Sequence, residues 1–132
     1  MVPKNDPTVA AVVVVFDPDD RFRKLLLSLA EQVNKIWIID NQPNSASCSI
    51  IKGEQNHQRK NIVLLENKKN VGLAAAQNQG IKLALADGVD WILLLDQDSI
   101  LHEDFVKNML NAALKYENKK DIGCLTPRHE FD

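Results

Sequence analysis

The segment "WILLLDQDSI", from Trp91 to Ile100, carries an apolar run straight into Asp96 and Asp98. In an extended strand, residues two apart share a face, with α-carbons about 6.6 Å apart. Where the strand ends and the chain turns, two such carboxylates can converge on one site. Two ionised carboxylates held together repel, and one pKa rises unless a cation lies between them. A hard divalent ion removes that conflict. Magnesium and manganese take oxygen ligands, and magnesium commonly combines one or two carboxylates with substrate phosphates. The apolar run then anchors the acids on a rigid, buried strand. The chemistry expected of Asp96 and Asp98 is a metal–diphosphate site at a sheet edge.

Such a site needs elements to position it, and the apolar pattern supplies two kinds. "TVAAVVVVF" (8–16) is a continuous β-branched run, as expected for a strand buried on both faces. "KIWIID" (35–40), "NIVLLE" (61–66) and "DWILLLD" (90–96) read as further strands, and "DIGCL" (121–125) as a short last one. Between them, Phe22, Leu25, Leu26, Leu29, Ala30 and Val33 fall at helical spacing. Residues 70–88 predict a second helix, with Asn70 as N-cap and Ala74, Ile81, Ala84 and Leu85 as its apolar stripe. Phe105, Met109, Ala112, Ala113 and Tyr116 mark a third, with Glu103 and Asp104 well placed for its dipole. Residues 41–60 read as polar and irregular, with one short helical turn.

Strand–helix alternation with buried strands predicts an α/β fold: a mostly parallel sheet with helices on both faces. In such folds, ligands bind outside the carboxyl ends of the strands, where the strand order switches. Asp17, Asp40 and Asp96 each follow or end a predicted strand on that edge. Aspartate also favours turns and caps after strands. For Asp17, in "FDPDD", that reading stands beside the functional one.

Composition narrows the classes. At 132 residues, the chain suits one domain with a real core. A net charge of −2 gives no electrostatic reason to expect nucleic acid or an acidic membrane as partner. The basic cluster "KYENKK" (115–120) includes Glu117 and reads as a solvated helix end. Cys48 and Cys124 lack metal-ligand spacing, which suggests a reducing compartment, although two cysteines could also pair. The polar start "MVPKNDP" is not a signal peptide, and the longest apolar run, Val9–Phe16, is too short to span a bilayer. No transmembrane segment is expected, and the cytoplasm is the default compartment.

Other motifs fail on particular residues. No glycines follow the first strand as a dinucleotide fingerprint requires, and no Walker sequence is present. An EF-hand would need an oxygen ligand where Ile100 stands. "HEDFV" lacks the second histidine of a zincin helix, and His57, His102 and His129 sit in unrelated segments. A rival remains in the first motif of haloacid-dehalogenase-type phosphatases, where a strand ends in a nucleophilic aspartate with a second acid two residues on. That family places the motif on its first strand, whereas three predicted strands precede Asp96 here.

Four segments in order carry a more specific resemblance. "VVVVFDPDD", "IWIIDNQPNS", "NKKNVGLAAAQNQGI" and "WILLLDQDSI" resemble the first half of a family 2 glycosyltransferase of the Rossmann-like GT-A fold. The last matches that family's DxD strand end, and "DQDS" looks most like bacterial rhamnosyltransferases. The resemblance implies a nucleotide-sugar donor, dTDP-rhamnose or a UDP-sugar, and a glycan or lipid-linked acceptor, as in cell-wall or O-antigen polysaccharide synthesis. It implies Mg2+ or Mn2+ on Asp98 and Asp96, with Asp96 also near the ribose. Val15, Phe16 and Asp17 would border the base and ribose, and Asn70, Gly72 and Asn78 the nucleotide wall. Asp40 would accept from the base: a carboxylate only accepts, which suits the N3–H of uracil or thymine and rejects cytosine. Each wall residue also has a plain structural role available: Asn70 a cap, Gly72 a tight turn, Asn78 a packed polar side chain.

Departures accompany the matches. Phe16 stands for the family's tyrosine, Asp17 for its asparagine, and Gln42 and Pro43 for its glycine–serine. The family's acceptor site and general base lie in a second half. The chain is therefore expected to be the donor-binding half, binding donor without completing transfer. It would work in the cytoplasm, at the inner face of the membrane where the acceptor is lipid-linked. Its open sheet edge could drive self-association.

Overall fold

A computed structural model describes residues 6–42, 47–56, 61–116 and 121–128. In chain order these form β1 (Val9–Val15), α1 (Asp20–Ala30), β2 (Lys35–Asp40), α2 (Ser47–Asn56), β3 (Ile62–Glu66), α3 (Leu73–Ala86), β4 (Trp91–Asp96) and α4 (Phe105–Lys115). All strand pairs are parallel, in the order β3-β2-β1-β4. β1 lies inside the sheet, pairing Val15 with Asp40 on one side and Val14 with Asp96 on the other. Its unbroken β-branched sequence follows from that position, because both of its faces are covered.

Alternate residues of β1 face opposite layers. Ala11, Val13 and Val15 pack with Phe22, Leu25, Leu26 and Leu29 of α1, Ile51 of α2 and Val106 of α4. Ala10 and Val12 pack with Ala76 and Ala84 of α3. Asp19 caps α1 by accepting the Arg21 N–H at 2.9 Å. Gln32, just beyond α1, docks α4: its amide donates to the His102 carbonyl and accepts the Val106 N–H.

The predicted strands at 8–16, 35–40, 61–66 and 90–96 all form, within a residue or so at their ends. Three local readings change. The polar stretch 41–60 contains a ten-residue helix, α2, because Ile51 finds the core. α3 begins at Leu73, not directly after Asn70, and of the expected stripe only Ala84 is buried; Ala76 and Gly80 complete the buried face in place of Ala74, Ile81 and Leu85. Small side chains let the helix sit close on β1, which leaves Leu85 62% exposed. The expected strand at 121–125 is irregular after a single 3-10 residue, Asp121. Gly123–Pro127 instead border, with β4 and α4, an open apolar groove of about 690 Å3. β4 therefore keeps an unpaired outer edge among the described residues.

At the opposite end of the sheet, one cluster ties α3 to β2. Asp87 accepts from Lys35 Nζ and from Trp37 Nε1, each at 2.8 Å, and the Lys35 ammonium lies 4.3 Å from the Trp37 ring centre. These donors, the lysine first, hold the Asp87 carboxyl below its usual range. A carboxylate depressed in the folded state stabilises above its unfolded pKa, and that contribution fades as pH falls through the folded value. Thermal unfolding of the natural chain and Asp87→Asn is therefore expected to differ at neutral pH. The two midpoints should converge below about pH 4, the ordinary aspartate range. A gap that persists or widens in acid would contradict this role.

Candidate functional site

The chain crosses from β1 through β2 to β3 on one side, then returns through α3 to β4 on the other. The switch in direction falls between β1 and β4, and a ligand cleft is expected at the carboxyl ends of those strands. An open cleft of about 290 Å3 occupies that place. β1 contributes Val14, with Phe16 just beyond its end, and β4 contributes Asp96 and the following Gln97. The end of β2 adds Asn41, and the approach to α3 adds Asn70, Gly72 and Leu73.

The wall between β2 and α3 is built from amides. Asn41, only 4% exposed, donates to Asn70 Oδ1 at 2.8 Å. Its own Oδ1 accepts from Asn67 Nδ2 at 3.2 Å and from the Val71 N–H at 3.0 Å. Asn67 in turn exchanges two hydrogen bonds with Gln79 of α3. Asn70 Oδ1 also accepts the Gly72 N–H at 2.8 Å, turning the chain ahead of the helix. Gly72 sits at φ 87°, a left-handed conformation that a side chain would strain. Asn70 is therefore a turn-former two residues ahead of the Gly72 cap position, not the N-cap itself.

The floor between β1 and β4 is closed by Gln97. The Phe16 N–H donates to Gln97 Oε1 at 2.8 Å, and Gln97 Nε2 donates to the Phe16 carbonyl at 3.1 Å. Phe16 itself is half exposed, presenting its ring to the cleft. Asp17 follows at φ 48°, where a non-glycine residue is uncommon.

Charge gathers beyond the cleft. Arg21, on the first turn of α1, contacts Asp19 at 2.8 Å and reaches Asp98 at 3.6 Å. Its hydrogen bonds hold the Asp19 carboxyl low, while Asp19 raises the guanidinium further. Asp96 and Asp98 are both exposed. Among the described residues, no group of three or more His, Cys, Asp or Glu side chains is set to enclose a metal ion.

Of the residues expected from sequence, Phe16, Asn70, Gly72 and Asp96 come together around the cleft. Val15 turns its side chain into the α1 layer and offers only backbone, its carbonyl accepting the Asn41 N–H. Asp40 is buried beside Asn41, 1% exposed, with Oδ1 accepting the Gln42 N–H. Asp17 and Asp98 stand outside the lining, and Asn78 is exposed on α3 away from it. Val14, Asn41, Leu73 and Gln97 line the cleft without having been singled out. Gln97 had a signal, its place between the two acids; Asn41 had one in following Asp40. His102 is exposed, and His57 and His129 lie outside the described residues. Cys124 is an exposed free thiol; the side chain of Cys48 lies outside the described ones.

A doubly wound parallel sheet with its cleft at the switch point puts the chain in the α/β class whose ligands bind across the strand ends. The profile of "Glycosyl transferase family 2" matches residues 10–129, and the chain belongs to that family. It is 31% identical over 117 residues to the dTDP-rhamnosyl transferase RfbF of Shigella flexneri, covering 87% of this chain and 37% of that protein. It is 29% identical over 127 residues to the uncharacterized glycosyltransferase MJ1057 of Methanocaldococcus jannaschii, covering 92% and 41% respectively. The chain thus spans about two fifths of the length of these relatives. The crystal structure of S. aureus TarS 1–349 superposes with a TM-score of 0.64 at 17% identity, covering 81% of this chain and 32% of that one. That likeness establishes the GT-A fold. In this chain Asp96 ends the fourth strand with Asp98 two residues beyond it, where the phosphatase motif requires a first strand.

Proposed function

We propose that this chain is the donor-binding half of a glycosyltransferase, holding a pyrimidine nucleoside-diphosphate sugar across the ends of β1 and β4. The observation that carries the reading is convergence. Phe16, Asn70, Gly72 and Asp96, from three separate segments, meet around one cleft at the switch point. Phe16 offers a ring for the base or ribose. Asp40, buried at the end of β2 outside the cleft lining, is assigned the N3–H of uracil or thymine, which requires the base to reach past that lining to it. Similarity to a dTDP-rhamnosyl transferase favours dTDP-rhamnose, with a UDP-sugar as the other donor. The acceptor is a glycan or lipid-linked saccharide, met in the cytoplasm or at the inner membrane face; no described helix is long and apolar enough to cross a membrane.

The donor set also suits a divalent metal. Asp96 and Asp98 would supply two carboxylates and, among the described residues, no third such ligand gathers with them, which suits Mg2+ or Mn2+ bound together with a substrate diphosphate. When bound, such an ion neutralises charge on the departing nucleoside diphosphate. The base that deprotonates the acceptor hydroxyl is assigned to the part of the relatives' length outside the matched segment.

Calorimetric titration with dTDP, UDP and CDP, with and without Mn2+, tests the reading. dTDP and UDP are expected to bind in a metal-dependent way, and CDP at least tenfold more weakly. Asp98→Asn is expected to remove most of the metal's benefit, about tenfold in affinity or 1.4 kcal/mol. No metal-dependent binding of any nucleotide to the folded chain would sink the proposal; equal CDP binding would remove Asp40 from its role.

A further inference from the structure

The β1–β4 ladder ends where Val14 faces Asp96, two residues short of Phe16. Beyond that point the Gln97 carboxamide takes the place of a strand, accepting the Phe16 N–H at 2.8 Å and donating to the Phe16 carbonyl at 3.1 Å. The two partners are 81 positions apart in sequence, so this extra rung joins separate walls of the cleft. It clamps the peptide next to Asp17, whose φ of 48° needs its surroundings to hold it. The clamp also fixes the residue between Asp96 and Asp98.

We propose that Gln97 is a positioning residue that locks the Phe16 wall to the carboxylate pair, so that nucleoside and diphosphate contacts are set as one unit. The inference rests on the donor-binding reading above and deepens it. Only a side chain of this length with one donor and one acceptor closes the rung. Asparagine is a methylene short. Glutamate can accept from the Phe16 N–H, but when ionised it faces the Phe16 carbonyl with no hydrogen to give.

Length and the donor–acceptor pair supply the test. Phe16 amide exchange is followed by NMR, and dTDP affinity with Mn2+ by calorimetry, at one neutral pH in the natural chain, Gln97→Ala and Gln97→Asn. In both variants the Phe16 amide is expected to lose at least tenfold of its protection while core amides of β1 keep theirs. Nucleotide affinity should fall about tenfold. A merely structural role would lower protection along β1 as a whole, not at Phe16 alone. If Gln97→Ala binds within twofold of the natural chain, or loses protection equally along β1, the inference is overturned. If Gln97→Ala does not fold, Gln97→Asn decides by the same two readouts. If the natural chain binds no nucleotide, the donor-binding reading fails; unchanged Phe16 exchange in both variants would separately refute the lock.

Discussion

Gly80→Leu is expected to abolish cooperative folding, and Gly80→Ala to lower stability by about 1–3 kcal/mol. Gly80 lies on the buried face of α3, directly over β1. A Cβ added there would clash with Val12 Cγ1, and would lie 3.2 Å from Val12 Cγ2 and 3.3 Å from Ile39 Cγ1. Val12 and Ile39 are fully buried and β-branched, so neither has a free rotamer to yield. Alanine should gain about 1 kcal/mol of helix propensity over glycine, and the clash must outweigh that gain for the sign to hold. Gly53, within α2, supplies the control, since nothing lies within 4 Å of an added Cβ there. Gly53→Ala is therefore expected to be neutral or to stabilise by up to about 1 kcal/mol. Paired denaturant melts read both effects. Equal behaviour of the two alanine variants would contradict the close approach of α3 to β1.

Asn41→Leu is expected to cost about 2–4 kcal/mol and to weaken nucleotide binding by tenfold or more. The buried amide satisfies the Val71 N–H, Asn67 and Asn70 Oδ1 together. An apolar replacement leaves those groups without it, at about 1–3 kcal/mol for each one that stays buried and unsatisfied. The same loss frees the turn through Gly72, which forms one wall of the cleft. Asn41→Asp separates the two consequences. It keeps the acceptor for Val71 and Asn67 but sets a carboxylate against Asn70 Oδ1, so most damage should fall on the Asn70 side. A leucine variant as stable as the natural chain would show that the network does not hold the loop.

How much of this could be read in advance differs by level. The strands were legible because their signal is local: β1 is apolar at every position, and only a strand covered on both faces has that pattern. α1 was equally plain from Phe22, Leu25, Leu26 and Leu29. α3 was misread by one face, because periodicity rewards large apolar residues, whereas a helix pressed against a sheet needs small ones at Ala76, Gly80 and Ala84. The expected strand at 121–125 does not form: the segment borders the groove between β4 and α4 without pairing to the open β4 edge, and an apolar run becomes a strand only once its backbone hydrogen bonds are made.

By itself, the sequence determined an α/β chain of family 2 glycosyltransferase type, with its acids at strand ends and Asp96 and Asp98 as the pair to watch. Those are properties of residue type and short-range spacing. The tertiary structure decided who stands beside whom. It buried Asp40, turned Val15 inward, and left Asn78 outside the cleft. It also brought Gln97 to Phe16 and Asn41 to Asn70. Strand order and register set these meetings, across 81 and 29 positions of chain. No local pattern encodes a partner so distant, because the contact exists only once the sheet has placed both ends side by side.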